Sequence, residues 1–254
     1  MTGEGTSWLL FLWLKQSRMS NNDVGKVLVP VEKEQKKRYD DTYFSVYRSN
    51  SARKTMYQEE RDHIEELKDG GRILDVGCGI GVFLDEFSSE KWQKYGTDIS
   101  ELAIEESRSR GINVNDFDQA YDYPASFFDV IVFRGSLQLI PTPFTVIEIC
   151  SRLLVSGGYM VFLSTPNSNS PYYRRFKTLP FLTPQANFLI PSDIMMKNAL
   201  QNFGLKVEEI RYPYIGGPYA RPVHDHILYF LSYFGLKRKF PFWRSSMEIY
   251  ASKK

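Results

Sequence analysis

An α/β fold built on a mostly parallel, doubly wound sheet is the architecture this sequence predicts. Three observations carry that expectation. Short apolar runs alternate with helical patterns from residue 72 onward. The first of these runs, RILDV at 72–76, leads directly into a glycine-rich loop. The chain has 254 residues, 43% of them hydrophobic, enough to bury one sizeable core.

The elements follow in order. Residues 54–68 predict a helix with Met56, Tyr57, Ile64 and Leu67 on one face, ended by Gly70-Gly71. RILDV is a buried parallel strand, and a helix is expected from Val82. KYGTD at 94–98 is the second strand, and Ser100 caps a helix that Gly111 stops. Residues 112–117 and 128–133 are the third and fourth strands. A helix over 141–154 is broken by Gly157-Gly158 before the fifth strand at 159–164. A helix at 192–203 (Met195, Ala199 and Phe203 inward) and a strand at 205–211 come next. An apolar helix at 223–235 and a last strand at 246–252 complete the chain. Two stretches lack periodicity, 165–190 and 212–224, and segments of this kind in a compact domain serve as lids or binding loops.

Composition narrows the function. A net charge of +2 gives no argument for nucleic acid or a strongly acidic partner. Cys78 and Cys150 are too far apart in sequence to form a disulfide framework or a metal signature, so a reducing, cytoplasmic setting and no metal are expected. Residues 1–38 are expected to be a flexible extension ahead of a 39–254 domain. Its apolar run WLLFLWL at 8–14 falls short of the about 20 residues that span a bilayer and lacks the flanks of a secretory signal. Three readings of it are open: a membrane-touching segment, a packed or swapped helix, or a disordered extension before a start at Met19. The last is favoured.

The chemistry centres on ILDVGCGIGVFL, residues 73–84. Gly77, Gly79 and Gly81 leave room for a ligand to approach the backbone, with Cys78 between them and helix amides expected beyond. The spacing is GxGxG, whereas the dinucleotide fingerprint is GxGxxG. Asp75 precedes the loop and is expected to orient it through backbone hydrogen bonds. Asp98 ends the second strand, where such sheets hold ligands, and suits two ribose hydroxyls, with Ile99 beside it. Asp118, with Asp116 as an equal candidate, is placed to approach an adenine ring.

These motifs resemble those of class I S-adenosylmethionine-dependent methyltransferases. ILDVGCGIGVFL is similar to their first motif and YGTDIS to the acidic motif after it. FDVIVFRGSLQLIPTP and LLVSGGYMVFLSTPN resemble the later ones. The ubiquinone-biosynthesis-like group is the nearest in pattern, over roughly residues 39–210. The resemblance implies a Rossmann-like sheet of seven strands with the last antiparallel, helices on both faces, and S-adenosylmethionine as cofactor. It implies that Gly77, Gly79 and Gly81 hold the methionine and ribose portion and Asp98 the ribose. Arg134 and Gly135 would then line the cofactor, and Tyr39 and Tyr43 would lie on a covering helix. One departure stands out: Leu137-Gln138-Leu139 replaces the family's LEH, which removes an acid and a histidine from the pocket edge.

An oxygen acceptor gains from a base. His224 and His226, flanking Asp225, are the candidates; His63 reads as structural. The expected acceptor site lies in the two irregular segments, with Asn167, Tyr172, Tyr173, Arg174 and Tyr214 as contacts. A small molecule, a glycan or a lipid-linked acceptor fits these residues. Lys237-Arg238-Lys239 after an apolar helix suggests weak contact with an anionic membrane surface. Two alternatives stay open, a non-catalytic cofactor-binding relative and a nicotinamide-dependent oxidoreductase.

Overall fold

The computed structural model describes residues 39–48, 51–117, 122–182, 187–215, 220–236 and 238–254. The N-terminal extension, Asp118, the Gly216–Tyr219 stretch and Lys237 lie outside the described residues. Seven strands form one sheet: β1 (Gly71–Val76), β2 (Trp92–Asp98), β3 (Asn113–Asp116), β4 (Phe128–Arg134), β5 (Leu154–Pro166), β6 (Leu205–Arg211) and β7 (Ser246–Lys253). Their order is β3-β2-β1-β4-β5-β7-β6. β1 to β5 pair in parallel, and β7 inserts antiparallel between β5 and β6. The helices are α1 (Asp41–Arg48), α2 (Ser51–Leu67), α3 (Glu101–Ser109), α4 (Pro143–Leu153), α5 (Pro171–Phe176), α6 (Asp193–Asn202) and α7 (Pro222–Leu231).

The central strands are buried on both faces, which is why they read as apolar runs: Ile73, Leu74, Val130, Val132, Val161 and Leu163 are among the residues they bury. α2 presses Tyr57 and Ile64 onto one face of the sheet. α4 buries Val146, Ile147 and Cys150. Ser100 caps α3 as expected, accepting from the Ala103 amide. No described helix is long and apolar enough to cross a membrane.

Several expectations are corrected. The helix after the glycine loop is only a 3₁₀ turn, Leu84–Glu86. Phe83, Leu84 and Phe87 are all buried, and Phe87 packs edge-on to both Phe83 and Trp92. A tight turn delivers these three to the core, so no long helix aims its amides at the loop. The inward face of α6 is Met196 and Leu200, one position away from the predicted set. β5 starts at Leu154: Gly157-Gly158 lie in a bulged strand, between the Phe128↔Leu154 and Val130↔Tyr159 pairs. The segment 165–190 is partly ordered by α5, whose Tyr172 enters an aromatic cluster with Phe240 and Phe242.

Candidate active site

At the carboxyl ends of β1, β2 and β4 the chain encloses a cavity of about 950 Å³. Its first half is built from sequence-local parts. The loop after β1 is fastened from below, because the amides of Gly77 and Cys78 both donate to the Thr97 carbonyl, at 2.8 and 2.9 Å. Asp98 secures its far side: one carboxylate oxygen accepts from the Gly79 amide at 2.8 Å, the other from the Ser100 amide at 2.9 Å. Asp75 therefore does not orient the loop as expected. Its Oδ1 is buried without a hydrogen-bond partner among the described residues. Burial, only partly countered by the charge of Arg134, pushes its carboxyl up to about 7.

The three glycines prove unequal. Gly77, Gly79 and Gly81 all adopt positive φ, of +82°, +55° and +78°, but differ in the space around them. A Cβ on Gly77 would stand 2.6 Å from the Ser136 Cβ, and one on Gly81 2.6 Å from the Ile112 methyl. These two are glycines because the protein's own side chains close over them. Gly79 has more room, with Phe44 3.4 Å from the position of a Cβ, and it faces the cavity.

Tyr39, Tyr43, Asp75, Gly77, Cys78, Gly79, Asp98, Ile99, Arg134 and Gly135 all line the cavity; Gly81 does not. Tyr43 lies on α1 and shares a 3.0 Å hydroxyl contact with Tyr47. Arg134 is nearly buried, paired with Glu60 of α2 at 2.6 and 3.2 Å, and stacked 4.1 Å from the Tyr57 ring. Asp118 lies outside the described residues, but its neighbour Phe117 reaches the wall.

The second half is assembled from distant segments: Pro180 and Phe181, Arg211 to Ile215, and Pro241 to Glu248. Ser164, at the end of β5, adopts φ of +49° and lines the seam beside Gly135. Of the expected acceptor contacts, Tyr214 is at the wall, its hydroxyl donating to Asp225 at 2.8 Å. The others are corrected. Asn167 is fully buried, and its Oδ1 accepts the Asn169 amide at 2.9 Å, so it closes a turn. Tyr172 and Tyr173 pack in the aromatic cluster behind the wall. Arg174 is exposed and donates to Asn169.

The histidines are also corrected. His224 is half-exposed and pairs with Asp225 at 3.3 Å, while His226 is exposed with Nδ1 2.7 Å from the Pro222 carbonyl oxygen. Neither lines the cavity. Both sit near the start of α7, flanking Asp225, which faces inward while they do not. His63, expected to be structural, bridges Glu66 and Glu209 at 3.0 and 2.9 Å. No described group of His, Cys, Asp and Glu is arranged to hold a metal.

Sequence reasoning missed Glu60, Ser136, Phe242, Trp243 and Glu248 at the wall. Two carried a signal. Glu60 falls on the buried Tyr57–Ile64 stripe of α2, and Glu248 interrupts the apolar strand SMEIYAS. A buried carboxylate in either place needs a reason.

The strand order, the antiparallel insertion of β7 and the glycine loop facing Asp98 define the class I methyltransferase architecture. The site residues suit its cofactor: Gly79 clears the backbone, Asp98 supplies ribose acceptors, and the unpartnered Asp75 oxygen suits a cationic group. A family model described as a methyltransferase domain matches residues 49–210. The ubiquinone biosynthesis O-methyltransferase of Thiobacillus denitrificans is 32% identical over 158 residues, covering 56% of this chain and 67% of the relative. Its counterpart in Vibrio cholerae is 30% identical over 156 residues, covering 54% and 63%. The matched stretch thus spans about two thirds of these curated relatives. Among solved structures, S-adenosylmethionine-dependent methyltransferases from Thermotoga maritima and Archaeoglobus fulgidus share the fold. Their TM-scores are 0.59 and 0.58, each at 18% identity; the matches cover 87% and 84% of this chain and 99% and 100% of theirs. The chain belongs to the methyltransferase-domain family, as a class I S-adenosylmethionine-dependent methyltransferase.

Proposed function

We infer that the protein transfers the methyl group of S-adenosylmethionine to an oxygen of a small-molecule, glycan or lipid-linked acceptor. The observation that carries this is the continuity of the cavity: the cofactor half opens into a second half walled by Tyr212, Tyr214, Phe242 and Trp243. Rings of this kind stack on an aromatic or sugar acceptor. The relatives' name, O-methyltransferase, supports oxygen as the accepting atom.

The cofactor brings an already activated methyl group, so the chain's residues act by binding and orientation. Asp98 and the glycine loop fix the adenosyl end. The Arg134–Glu60 pair forms a rigid floor between the two halves. Tyr39 and Tyr43 on the α1 side restrict water. The test is mass spectrometry of candidate acceptors incubated with enzyme and S-adenosylmethionine. A gain of one CH₂ on a hydroxyl supports the reading, and methylation confined to amines contradicts it.

Peripheral contact with an anionic membrane has its own support. α7 and the turn after it expose Val223, Ile227, Phe230 and Phe234, followed by exposed Arg238 and Lys239. Co-sedimentation with phosphatidylglycerol vesicles, absent with phosphatidylcholine, is the expected result.

A further inference from the structure

Among the described residues, five carboxylates and no histidine line the cavity: Glu59, Glu60, Asp75, Asp98 and Glu248. Four are accounted for. Glu59 is exposed. Glu60 is held by two hydrogen bonds from Arg134. Both oxygens of Asp98 accept from backbone amides, and Asp75, its Oδ1 unpartnered among the described residues, stands just before the glycine loop, on the cofactor side of the cavity. Glu248 differs. It is 6% exposed, and its one hydrogen bond among the described residues is accepted from the neutral Tyr250 hydroxyl, at 3.0 Å.

Its position is that of the acceptor half. Glu248 lies near the start of β7, in register with Arg211 of β6, and both line the cavity. The charged groups facing it are Glu60 and His63 of α2 and Arg211 of β6. None forms an ion pair with it: Glu60 is bound to Arg134, His63 to Glu66 and Glu209, and Arg211 approaches Glu209 at 3.6 Å. Burial, followed by the charge of Glu60, raises its proton affinity above the ordinary carboxylate. A buried, cavity-lining carboxylate with no ion-pair partner among the described residues, only partly offset by the charges of Arg211 and His63, is suited to take a proton.

We propose that Glu248 is the general base of the transfer, receiving the proton of the acceptor hydroxyl. The proposal rests on the oxygen-acceptor reading above. The acceptor oxygen forms its bond to the methyl carbon as the carbon–sulfur bond breaks, with that electron pair passing to sulfur. The hydroxyl proton passes to the Glu248 carboxylate, so the products are the methyl ether, S-adenosylhomocysteine and protonated Glu248.

The test compares wild type with Glu248→Gln and Glu248→Asp, using S-adenosylmethionine and a panel of catechol, protocatechuate and glucose as acceptors. Glutamine keeps an acceptor for the Tyr250 hydroxyl, and an unchanged melting temperature with S-adenosylhomocysteine affinity within twofold verifies folding. The turnover of wild type is expected to rise with pH through an apparent pKa above the usual carboxylate range. Glu248→Gln should lose about 10²–10⁴-fold in turnover together with that acid limb; Glu248→Asp should retain the limb. Wild-type transfer to a hydroxyl with Glu248→Gln losing less than fivefold, or keeping the limb, overturns the proposal alone. Wild-type methylation confined to amines in the acceptor screen overturns the oxygen reading and the proposal with it. A second measurement needs no acceptor: carbon-13 NMR of glutamate-labelled enzyme, with Glu248→Gln giving the assignment. A Glu248 carboxyl titrating at or below the ordinary value of about 4.3 contradicts a base role.

Discussion

The two halves of the cavity are made in opposite ways. The cofactor half draws mainly on residues 75–99 and 134–135, close in sequence and fixed by backbone hydrogen bonds to Thr97 and Asp98. The second half, proposed to take the acceptor, draws on 180–181, 211–215 and 241–248, segments far apart in sequence, the last two flanking the antiparallel β6–β7 pair. The first is written as a motif and the second as topology. Backbone-held sites tolerate little change, whereas a wall of side chains is free to vary with the acceptor.

The largest expected effect tests the floor between the halves. Arg134→Ala leaves Glu60 as an uncompensated buried charge and should lower unfolding stability by about 3–5 kcal/mol. Chemical denaturation checks it, and a loss below about 1 kcal/mol would mean the pair is not part of the floor. Next, Asp98→Ala should weaken S-adenosylhomocysteine by about 1.5–3 kcal/mol, the range for hydrogen bonds to a charged group. An unchanged affinity by calorimetry would separate Asp98 from the ribose site.

Smaller effects distinguish glycines that look alike in sequence. Gly77→Ala and Gly81→Ala combine a left-handed backbone with a Cβ 2.6 Å from a neighbour, and each should cost about 1–2 kcal/mol or more of stability. Gly79→Ala shares the left-handed backbone, at φ +55°, but meets only Phe44 at 3.4 Å, so it should cost less stability than the other two and weaken the cofactor as well. Equal melting points for all three variants would refute the distinction.

Asp75 gives a pH signature of the cofactor half. Its carboxyl titrates near 7 in the fold against about 3.9 in an unfolded chain, so the native state holds the extra proton. That contribution is complete below about pH 4 and is lost as pH rises through about 7. A bound cationic group favours the carboxylate, so cofactor affinity should strengthen as pH rises through the same range, with proton release. Asp75→Asn should abolish the proton release. The smallest effect belongs to α7: His224→Ala with His226→Ala should leave transfer within about twofold, since neither ring reaches the cavity.

How far the sequence could be read follows the same division. The central strands β1, β4 and β5 were legible because they carry continuous apolar runs, and Asp98 because it falls between a strand and a capped helix. The acceptor contacts were misplaced because irregular segments contain both wall and buttress residues. Tyr172 and Tyr214 are chemically alike, yet one is packed behind the wall and the other stands in it. What surrounds each is supplied by distant residues: Phe240 and Phe242 beside Tyr172, and Asp225 beside Tyr214. Trp243 and Glu248 were missed for the same reason, since no local pattern records a neighbour supplied by residues far away in sequence.

The central claim is that this cavity is built first for an adenosyl cofactor with a sulfonium or thioether chain. Calorimetric titration of the full chain with S-adenosylhomocysteine and, separately, with a nicotinamide dinucleotide tests it most directly. The structure predicts saturable one-to-one binding of S-adenosylhomocysteine, weakened in Asp98→Ala, and no measurable binding of the dinucleotide. Tighter binding of the dinucleotide, or no binding of S-adenosylhomocysteine, would contradict it.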